Sequence, residues 1–327
     1  MRAIVFGGSG FIGKHLVPSL VSRGYEVTVA DLQPSELAAG AHFVECDIRK
    51  PIPLDISDTP QEVYNLAAVH RVPGHEDHEY FDANVAGAEN VAGYCEATGV
   101  KTLCFTSSIS VYGPSEHPLG EDSPTTPVSA YGRSKLEAES IYRLWALDCP
   151  ARRLVIARPS VIFGPWERGN FSLLARALRR RTFIYPGRTD TIKACAYVGE
   201  LIKSLEFALA LDRQVFLYNL CYPHPYSIRE ICEAFHQEWG LPLPRFTAPA
   251  VPMLAAAWFF EKLESAGIRT GIGRARVRKL VESTHIVPGA LLEEGYEFET
   301  DLAEGLRRWR QGGPAARPAA AMVEGRA

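Results

Sequence analysis

Residues 2–13 read RAIVFGGSGFIG, and this stretch decides the fold. Residues 2–6 are a short apolar run, which predicts a buried parallel strand. Four glycines follow, and residues 11–23 then place apolar side chains at helical spacing until Gly24. Glycines let the backbone turn tightly and approach a pyrophosphate, and the N-terminus of the next helix carries a partial positive charge. The stretch therefore predicts a dinucleotide site at the start of the chain.

An acidic residue stands where such a site needs one. Residues 26–30 (EVTVA) predict a second strand, and Asp31 follows it directly. A carboxylate at this point accepts hydrogen bonds from a ribose diol and repels a 2′-phosphate. The next residues are Leu32 and Gln33, so no arginine is present to attract that phosphate. Asp31 could also be an ordinary turn residue, but in this context the pattern favours NAD over NADP.

Further along the chain, strands and helices alternate. The predicted strands are residues 42–46, 62–66, 101–106, 153–157 and 214–220, and the predicted helices are 84–98, 134–146, 173–181 and 197–209. This order predicts an α/β fold, a doubly wound parallel sheet (Rossmann) with a smaller mixed α/β C-terminal lobe.

The same order of predicted strands and helices gives the expected domain boundaries. We expect an NAD-binding domain over residues 1–165, to which the chain returns at about 190–222. Residues 166–189 and 223–312 would form a substrate-binding lobe. Within it, Ser227 is expected to cap a helix through Phe235, and a further helix is expected at 253–263. The Pro/Ala-rich residues 313–327 are expected to be disordered.

Composition excludes several classes of function. The net charge of −3 provides no basic field for nucleic acid. The apolar run at 251–260 is too short to span a bilayer and is more typical of a buried helix than of an interfacial membrane contact. Seven scattered cysteines without C-x-x-C spacing indicate reduced thiols in the cytoplasm and no metal site. The run Arg179–Arg181 is more typical of a solvated helix face than of an anion site.

Two segments in the middle of the chain carry candidate chemistry. Residues 131–135 read YGRSK, so Tyr131 and Lys135 share one face if the segment is helical. A nearby ammonium is expected to lower the tyrosine pKa, which lets the phenol exchange a proton with a carbinol. Residues 105–113 read FTSSISVYG and place Ser107 and Ser108 where a strand meets the predicted crevice. Each pattern alone is common, and the serine pair alone is more typical of a turn.

Taken in order, the motifs resemble the extended short-chain dehydrogenase/reductase family. They look most like its NAD-dependent epimerase/dehydratase branch, which includes UDP-galactose 4-epimerase. The likeness covers roughly the first 220 residues. It rests on GGSGFIG (7–13), Asp31, CDI (46–48), NLAA (65–68), NVAGAEN (84–90), FTSSISVYG (105–113), YGRSK (131–135) and RPSVIFGP (158–165).

The resemblance implies a role for each matching residue. The implied catalytic residues are Ser108, Tyr131 as the base, and Lys135, which would also hold the nicotinamide ribose. The implied contacts to NAD are Gly7, Gly10, Phe11, Ile12, Gly13, Asp31, Asp47, Ile48, Ala67, Ala68, Asn84, Ser107, Tyr131, Lys135, Pro159 and Ser160. The implied substrate contacts are Ser108, Ser110, Asn170 and Lys193, the last standing where relatives usually have arginine. A homodimer through a four-helix bundle of residues 85–98 and 134–147 is also implied.

Two residues argue against one of the reactions that this family catalyses. In the family, the 4,6-dehydratases carry an Asp-Glu pair just before V-Y-G, where this chain has Ile109 and Ser110. Neither residue supplies the acid and base that elimination of water needs. A nucleotide-sugar epimerase is therefore the first expectation. The alternative is an NAD-dependent dehydrogenase or ketoreductase of a sugar nucleotide or of an apolar alcohol, as in the 3β-hydroxysteroid branch. A non-catalytic NAD sensor is disfavoured by the intact Ser108, Tyr131 and Lys135.

Overall fold

A computed structural model describes residues 1–35, 40–70, 74–249 and 280–312 of the 327-residue chain. The described strands, numbered along the chain, are β1 (Arg2–Phe6), β2 (Glu26–Asp31), β3 (His42–Glu45), β4 (Glu62–Asn65), β5 (Thr102–Thr106), β6 (Ser115–Leu119), β7 (Arg153–Pro159), β8 (Val161–Phe163), β9 (Tyr185–Pro186), β10 (Cys195–Tyr197), β11 (Val215–Leu220), β12 (Thr247–Ala248) and β13 (Thr284–Ile286). The described helices are α1 (Gly13–Ser22), α2 (Asp77–Phe81), α3 (Gly87–Thr98), α4 (Ala130–Leu147), α5 (Asn170–Arg179), α6 (Val198–Ala210), α7 (Ile228–Trp239), α8 (Gly289–Glu293) and α9 (Leu302–Gly312).

Seven of these strands form one parallel sheet in the order β11-β7-β5-β4-β1-β2-β3. The order reverses between β1 and β4, because the chain runs outward to β3 and then crosses back. In a parallel sheet this reversal opens a crevice at the carboxyl ends of the strands, where ligands bind. The predicted doubly wound α/β fold is confirmed, and its crevice lies where the glycine loop leaves β1.

Both faces of the sheet are covered by helices. Alternate residues of each strand point to opposite faces, so Val5 joins one core and Phe6 the other. On one face Phe6 packs with Tyr142 of α4, and on the other Val5 packs with Leu16 of α1. A strand that is buried on both faces needs a continuous apolar run, which explains the apolar residues 3–6 of β1.

A second core lies in the C-terminal lobe. Phe163, the last residue of β8, stacks on Phe171 of α5, with ring centroids 4.5 Å apart, and Trp309 of α9 packs beside Trp239 of α7. Three short strand pairs lie outside the main sheet, β8/β10, β9/β12 and β6/β13, and the last of these joins the lobe to the segment after β5. The proposed domain boundaries stay a prediction.

Several element boundaries differ from the expectations. Helix α4 begins at Ala130, four residues before the predicted start, because the Ser129 hydroxyl accepts from the Gly132 amide and caps it. A π-helical segment, Asp82–Ala86, joins α2 to α3. The short strand pairs were not predicted, since runs this short show no alternation. The expected helix at 253–263, the apolar run at 251–260 and the expected disorder of 313–327 lie outside the described residues.

The described residues bear on two features of the composition, the membrane-spanning helices and the cysteines. Within the described ranges, no helix is both long and apolar enough to traverse a bilayer. All seven cysteines carry free thiols, and six of them are buried.

Glu200 of α6 fixes the C-terminal segment to the sheet. Its buried carboxylate accepts hydrogen bonds from the Tyr296 hydroxyl at 2.8 Å and from the Thr300 amide and hydroxyl, both at 2.7 Å. Hydrogen bonds to a buried charge contribute more than neutral ones. Glu200 therefore holds the approach to α9 in place.

We expect Glu200→Ala to lower the free energy of unfolding by about 3 kcal/mol, since it leaves several buried donors unsatisfied. Glu206→Ala on the same helix is the matched control. Glu206 pairs with Arg23 at the surface at 3.0 Å, and such pairs contribute less than about 1 kcal/mol. Urea unfolding midpoints measure both. Equal losses in the two variants would contradict the anchoring role of Glu200.

Candidate active site

The loop after β1 has no room for a side chain at Gly7 or at Gly13. Gly7 has φ +75°, and a Cβ placed on it would lie 2.5 Å from the backbone nitrogen of Ala67. A Cβ on Gly13 would lie 2.2 Å from the carbonyl oxygen of Gly8. The Gly7 amide donates to the Ala30 carbonyl at 2.9 Å, which ties the loop to β2. The sequence requires glycine here because loop, strand and helix meet at backbone distance.

Asp31 lies beside this loop, at the end of β2. Its Oδ2 accepts from the Ser9 amide at 2.9 Å and its Oδ1 from the Leu32 amide at 2.7 Å. The carboxylate is thereby fixed next to the loop. Each carboxylate oxygen has a second lone pair, so a ribose diol can still donate to it.

Two buried hydroxyls near the crevice have no hydrogen-bond partner within the described residues. They are the Oγ atoms of Ser9, in the glycine loop, and of Ser160, between β7 and β8. Buried hydroxyls are nearly always satisfied in a protein, so each is suited to a polar ligand. Together with the glycine loop and Asp31, these groups fit a dinucleotide.

The residues expected near the adenine are ordered by their neighbours. Asp47 accepts from the Arg49 guanidinium at 2.8 and 2.7 Å, and this hydrogen bonding lowers its pKa. Ile48 packs against Gly87, where a Cβ would come within 2.6 Å of its side chain, and its carbonyl accepts from Asn90 at 2.8 Å. The adenine contacts of both residues stay predictions.

Asn84 joins three parts of the site. Its side chain exchanges two hydrogen bonds with the backbone of Val69, both at 3.2 Å, and donates to the Ser134 hydroxyl at 2.9 Å. Val69 belongs to the loop after β4, which also contains Ala67 and Ala68, and Ser134 lies on α4. Asn84 itself lies in the π-helical segment, a distortion that often occurs at functional sites. It therefore positions the loop under the predicted cofactor relative to α4.

Tyr131 and Lys135 lie one turn apart on α4, as expected. Lys135 is 1% exposed, and its Nζ donates to the Thr106 carbonyl at the end of β5 at 2.9 Å. Burial lowers the pKa of Lys135 to about 7, although the Glu139 carboxylate acts to raise it. Burial raises the pKa of Tyr131 to about 12, while a hydrogen bond from Ser108 acts to lower it.

The expected lowering of the Tyr131 pKa by Lys135 is therefore wrong, because burial raises that pKa. The ammonium is held by the Thr106 carbonyl, and its own charged form is penalised by burial. Desolvation outweighs any attraction between the two groups. A further positive charge beside the phenol would be needed to bring its pKa toward neutrality.

Ser108 lies between Tyr131 and Ser110. It caps the short 3₁₀ turn Ile109–Val111, accepting from the Ser110 amide at 3.1 Å, and its hydroxyl lies 3.1 Å from the Ser110 hydroxyl. It also hydrogen-bonds to Tyr131. The structure thus brings Ser108, Ser110 and Tyr131 together, with Lys135 one turn away.

Behind this group is a buried polar network that the sequence analysis missed. Glu139 receives hydrogen bonds from Arg158 at 2.9 and 2.6 Å and from the Ser107 hydroxyl at 2.5 Å. Arg158 also donates to the Tyr112 hydroxyl at 2.6 Å, and Tyr112 donates to Asn219 at 2.9 Å. The Ser107 hydroxyl is thus used within the protein, and its cofactor contact stays a prediction.

Two signals in the sequence could have revealed this network. Glu139 follows Lys135 by four residues, so it shares the helix face of Tyr131 and Lys135. Arg158 is a charged residue that directly follows four apolar residues of β7, and a charged residue inside a buried strand needs a buried partner. Neither signal identifies the other as the partner.

The predicted substrate contacts are less well defined. Asn170 is exposed at the start of α5, where the Glu167 carboxylate accepts from the Ser172 amide at 2.9 Å. The Nζ of Lys193 donates to the Glu282 carbonyl at 2.6 Å, and burial lowers its pKa to about 8. An open cleft of about 720 Å³ nearby is lined by Arg188 and Arg229, but by none of the predicted catalytic residues.

Trp166 contributes a feature that the sequence did not indicate. It has φ +66°, rare for a bulky residue, and its ring lies 5.1 Å from that of His15 on α1. His15 also hydrogen-bonds to the Pro165 carbonyl at 3.1 Å, and burial lowers its pKa. These contacts fix the chain after β8 beside the glycine loop. In the described ranges, no group of three or more His, Cys, Asp or Glu side chains is arranged to hold a metal ion.

Comparison with known proteins agrees with this geometry. The model of the NAD dependent epimerase/dehydratase family matches residues 3–221. Among curated proteins, the chain is 29% identical to an Escherichia coli O157:H7 N-acetyl-alpha-D-glucosaminyl-diphospho-ditrans,octacis-undecaprenol 4-epimerase, covering 95% of this chain and 94% of the relative. It is 37% identical to UDP-glucose 4-epimerase 4 of Oryza sativa subsp. japonica, covering 76% of this chain and 79% of the relative.

Solved structures give the same fold. MoeE5 in complex with UDP-glucuronic acid and NAD superposes with a TM-score of 0.75 at 25% identity, covering 95% of this chain and 98% of that one. A UDP-galactose 4-epimerase superposes with a TM-score of 0.70 at 23% identity, covering 94% and 97%, a likeness that shows the fold alone.

We expect Asp31→Asn to weaken NAD binding about 30-fold, because a hydrogen bond from a ribose hydroxyl to a charged group contributes about 2 kcal/mol. Binding of NADP should be unchanged or stronger, since the repulsion of the 2′-phosphate is removed. Fluorescence titration measures both affinities. Asp58→Asn, an exposed position, is the control. Equal loss for NAD and NADP would show that Asp31 only supports the loop.

A second prediction concerns Glu139, whose negative charge raises the pKa of Lys135. Removing that charge in Glu139→Gln should lower the Lys135 pKa further, by about one unit. Deprotonation of Lys135 then occurs at lower pH, so the alkaline fall in turnover should move to lower pH by the same amount. Glu137→Gln, exposed on the same helix, is the control. A pH profile identical in the two variants would contradict the coupling.

Proposed function

We propose that this chain, which belongs to the NAD dependent epimerase/dehydratase family, inverts one carbinol centre of a diphosphate-linked sugar through Tyr131, Lys135 and Ser108. The observation that carries the proposal is the grouping of these residues at the carboxyl end of β5. Ser108 hydrogen-bonds to Tyr131, and Lys135 is anchored to the Thr106 carbonyl one helical turn away. The grouping lies on the edge of the sheet from which the glycine loop leaves β1.

NAD, held by the glycine loop and Asp31, would supply a hydride acceptor for the carbinol carbon and then a hydride donor for the resulting ketone. The residues of the chain handle the proton. Tyr131 acts as the phenolate: it accepts the hydroxyl proton as the hydride leaves, and returns that proton when the ketone is reduced. Ser108 donates to the substrate oxygen or to Tyr131, so it stabilises negative charge on either.

Lys135 supplies positive charge to this exchange. With a pKa of about 7 it is half protonated near neutral pH, so small changes around it switch its charge. A charged Lys135 favours the phenolate of Tyr131. Its hydrogen bond to the Thr106 carbonyl keeps the ammonium at a fixed place while the phenol gains and loses its proton.

Among the described residues, the two positions before Val111 carry no acid and base for elimination of water. Ile109 is buried and has no ionisable group, and Ser110 is hydrogen-bonded to Ser108. This supports an epimerase over a dehydratase. A one-way dehydrogenase would need NAD to exchange at each turnover, whereas an epimerase keeps the same cofactor.

The sugar has two candidate carriers, a nucleotide diphosphate and a polyprenyl diphosphate. A nucleotide diphosphate is supported by the rice UDP-glucose 4-epimerase 4. A polyprenyl diphosphate is favoured by one specific observation: the Escherichia coli relative named for an undecaprenol-linked sugar matches over 95% of this chain, the C-terminal lobe included. Both carriers present a diphosphate, for which Lys193 would provide the positive charge.

A homodimer through residues 85–98 and 134–147 is part of the proposal. The outer face of α4 exposes Leu144 and Leu147, whose side chains are 70% and 64% accessible. Apolar side chains at this spacing on a helix favour packing against another helix. Helices α3 and α4 contact each other within one chain, which would supply two helices of a four-helix bundle.

We expect the purified protein to interconvert one pair of 4-epimers from a panel of UDP-sugars and a polyprenyl-diphosphate N-acetylhexosamine, without net formation of NADH. Tyr131→Phe should reduce turnover by at least about 1,000-fold while NAD binding changes less than twofold, since only the proton acceptor is lost. Tyr25→Phe is the matched control. Chromatography of the sugars and absorbance of NADH measure the two outcomes.

Steady accumulation of NADH with one sugar would contradict the epimerase and establish a dehydrogenase. Full activity of Tyr131→Phe would contradict the role of the tyrosine.

A further inference from the structure

Several exposed apolar residues lie on the C-terminal lobe. Ile184 and Phe246 stand side by side at the entry to the β9/β12 pair, where the Tyr185 amide donates to the Phe246 carbonyl at 3.0 Å. Their side chains are 45% and 71% accessible. Leu243, three residues before Phe246, and Leu173 on α5 are also exposed. Single exposed apolar residues are ordinary, but adjacent ones mark a contact surface.

The apolar residues are bordered by arginines. Residues 168–188 contain six arginines and no aspartate or glutamate, in a chain whose net charge is −3. The exposed face of α5 carries Leu173, Arg176 and Arg180 at helical spacing. We call the following residues the docking patch: Leu173, Arg176, Arg179, Arg180, Arg181, Ile184, Leu243, Arg245 and Phe246.

The five arginines of the docking patch have no ion-pair partner within the described ranges. Elsewhere arginine is usually paired, as Arg23 is with Glu206 and Arg213 with Glu294. Unpaired guanidinium groups are available to anions from outside the protein. Long arginine side chains can also lay their apolar stems on a surface while the charged ends contact phosphate.

Arg181 occupies a position where its side chain is a cost to the fold. It has φ +56°, and it ends α5 with a Schellman motif, in which the Thr182 amide donates to Ala177 at 3.0 Å and the Arg181 amide to Leu178 at 2.9 Å. Glycine is the residue that suits this left-handed position. The chain keeps an arginine there, next to two others, which indicates a use for its charge.

We infer that the docking patch binds the surface of an anionic lipid bilayer. The apolar side chains would enter the boundary between headgroups and acyl chains, and the arginines would contact the phosphates of anionic lipids. A second copy of the chain is disfavoured as the occupant, since a two-fold contact would bring the same five positive charges together. Nucleic acid is disfavoured because Phe246 is the one aromatic side chain of the docking patch, whereas Leu173, Ile184 and Leu243 offer no ring on which further bases could stack.

This contact goes beyond the proposed reaction and does not depend on it. If the substrate is carried by a polyprenyl diphosphate, which rests on the proposed function, docking would hold the enzyme at the surface from which that substrate projects. With a water-soluble nucleotide sugar as substrate, the docking patch would localise the enzyme without changing its chemistry.

The test is co-sedimentation of the full-length protein with vesicles of phosphatidylcholine alone or mixed with phosphatidylglycerol. The protein should bind only the anionic vesicles and dissociate as salt is raised from about 0.1 M to about 1 M, which shortens the screening length to about 3 Å. Arg179→Gln, Arg180→Gln and Arg181→Gln combined should weaken binding on the order of 100-fold, since each cation near the surface contributes about 1 kcal/mol. Phe246→Ser should weaken it about tenfold.

Matched control variants test whether the loss of vesicle binding is specific to the docking patch. Arg2→Gln, Lys50→Gln and Lys101→Gln combined remove the same charge from exposed positions of the NAD-binding region and should leave binding within twofold of wild type. Leu54→Ser is the control for Phe246→Ser. Arg181→Gly should leave the Tm unchanged or higher, because glycine suits the position, while still weakening vesicle binding.

Failure of the wild type to bind anionic vesicles would overturn the inference, as would equal binding to neutral vesicles or equal losses in the two triple variants. Loss of binding in the docking-patch variants with unchanged turnover of a soluble UDP-sugar supports it. Vesicle binding by a protein without epimerase activity would reject the proposed function and leave the docking patch intact.

Discussion

Arg158 and Glu139 meet in the interior of the protein, with Nη2 2.6 Å from the carboxylate and side chains that are 5% and 2% exposed. Burying two charges is costly, and such a pair persists only when the remaining donors and acceptors are also satisfied. Here the Ser107 and Tyr112 hydroxyls complete it. The pair fixes α4 to β7, and the face of α4 that bears Glu139 also bears Lys135 and Tyr131. The position of α4, which bears two of the proposed catalytic residues, relative to the sheet therefore depends on this contact.

The network extends the same constraint in two directions. Toward the crevice, the Glu139 carboxylate opposes the effect of burial on Lys135, which leaves the lysine pKa at about 7. Toward the C-terminal lobe, Tyr112 donates to Asn219, whose side chain donates to the Val287 carbonyl beside β13. Helix α4, the end of the sheet and the start of the lobe thus share one connected set of hydrogen bonds. A substrate that moves the lobe would act on the same set that positions Lys135.

The features that were predictable from sequence depend on local backbone requirements. The glycine loop needs glycine because neighbouring backbones lie within 2.5 Å of the missing Cβ atoms of Gly7 and Gly13, and the spacing of Tyr131 and Lys135 follows from the helix. The direction of the Tyr131 pKa was predicted wrongly, because desolvation depends on tertiary packing. The pairing of Glu139 with Arg158 joins a helix and a strand 19 residues apart, which periodicity does not encode. The short strand pairs of the C-terminal lobe were missed for the same reason.

The central proposal is that Tyr131 moves only a proton, while the hydride that leaves the carbon would be returned to the same carbon by a cofactor that remains bound. A sugar carrying deuterium on the carbon that is inverted tests it most directly. Mass spectrometry of the product after turnover in ordinary water should show the deuterium fully retained, with a slower rate for the labelled sugar. Loss of the deuterium to solvent would contradict the account, since it would mean that the carbon is inverted by removal and return of a proton.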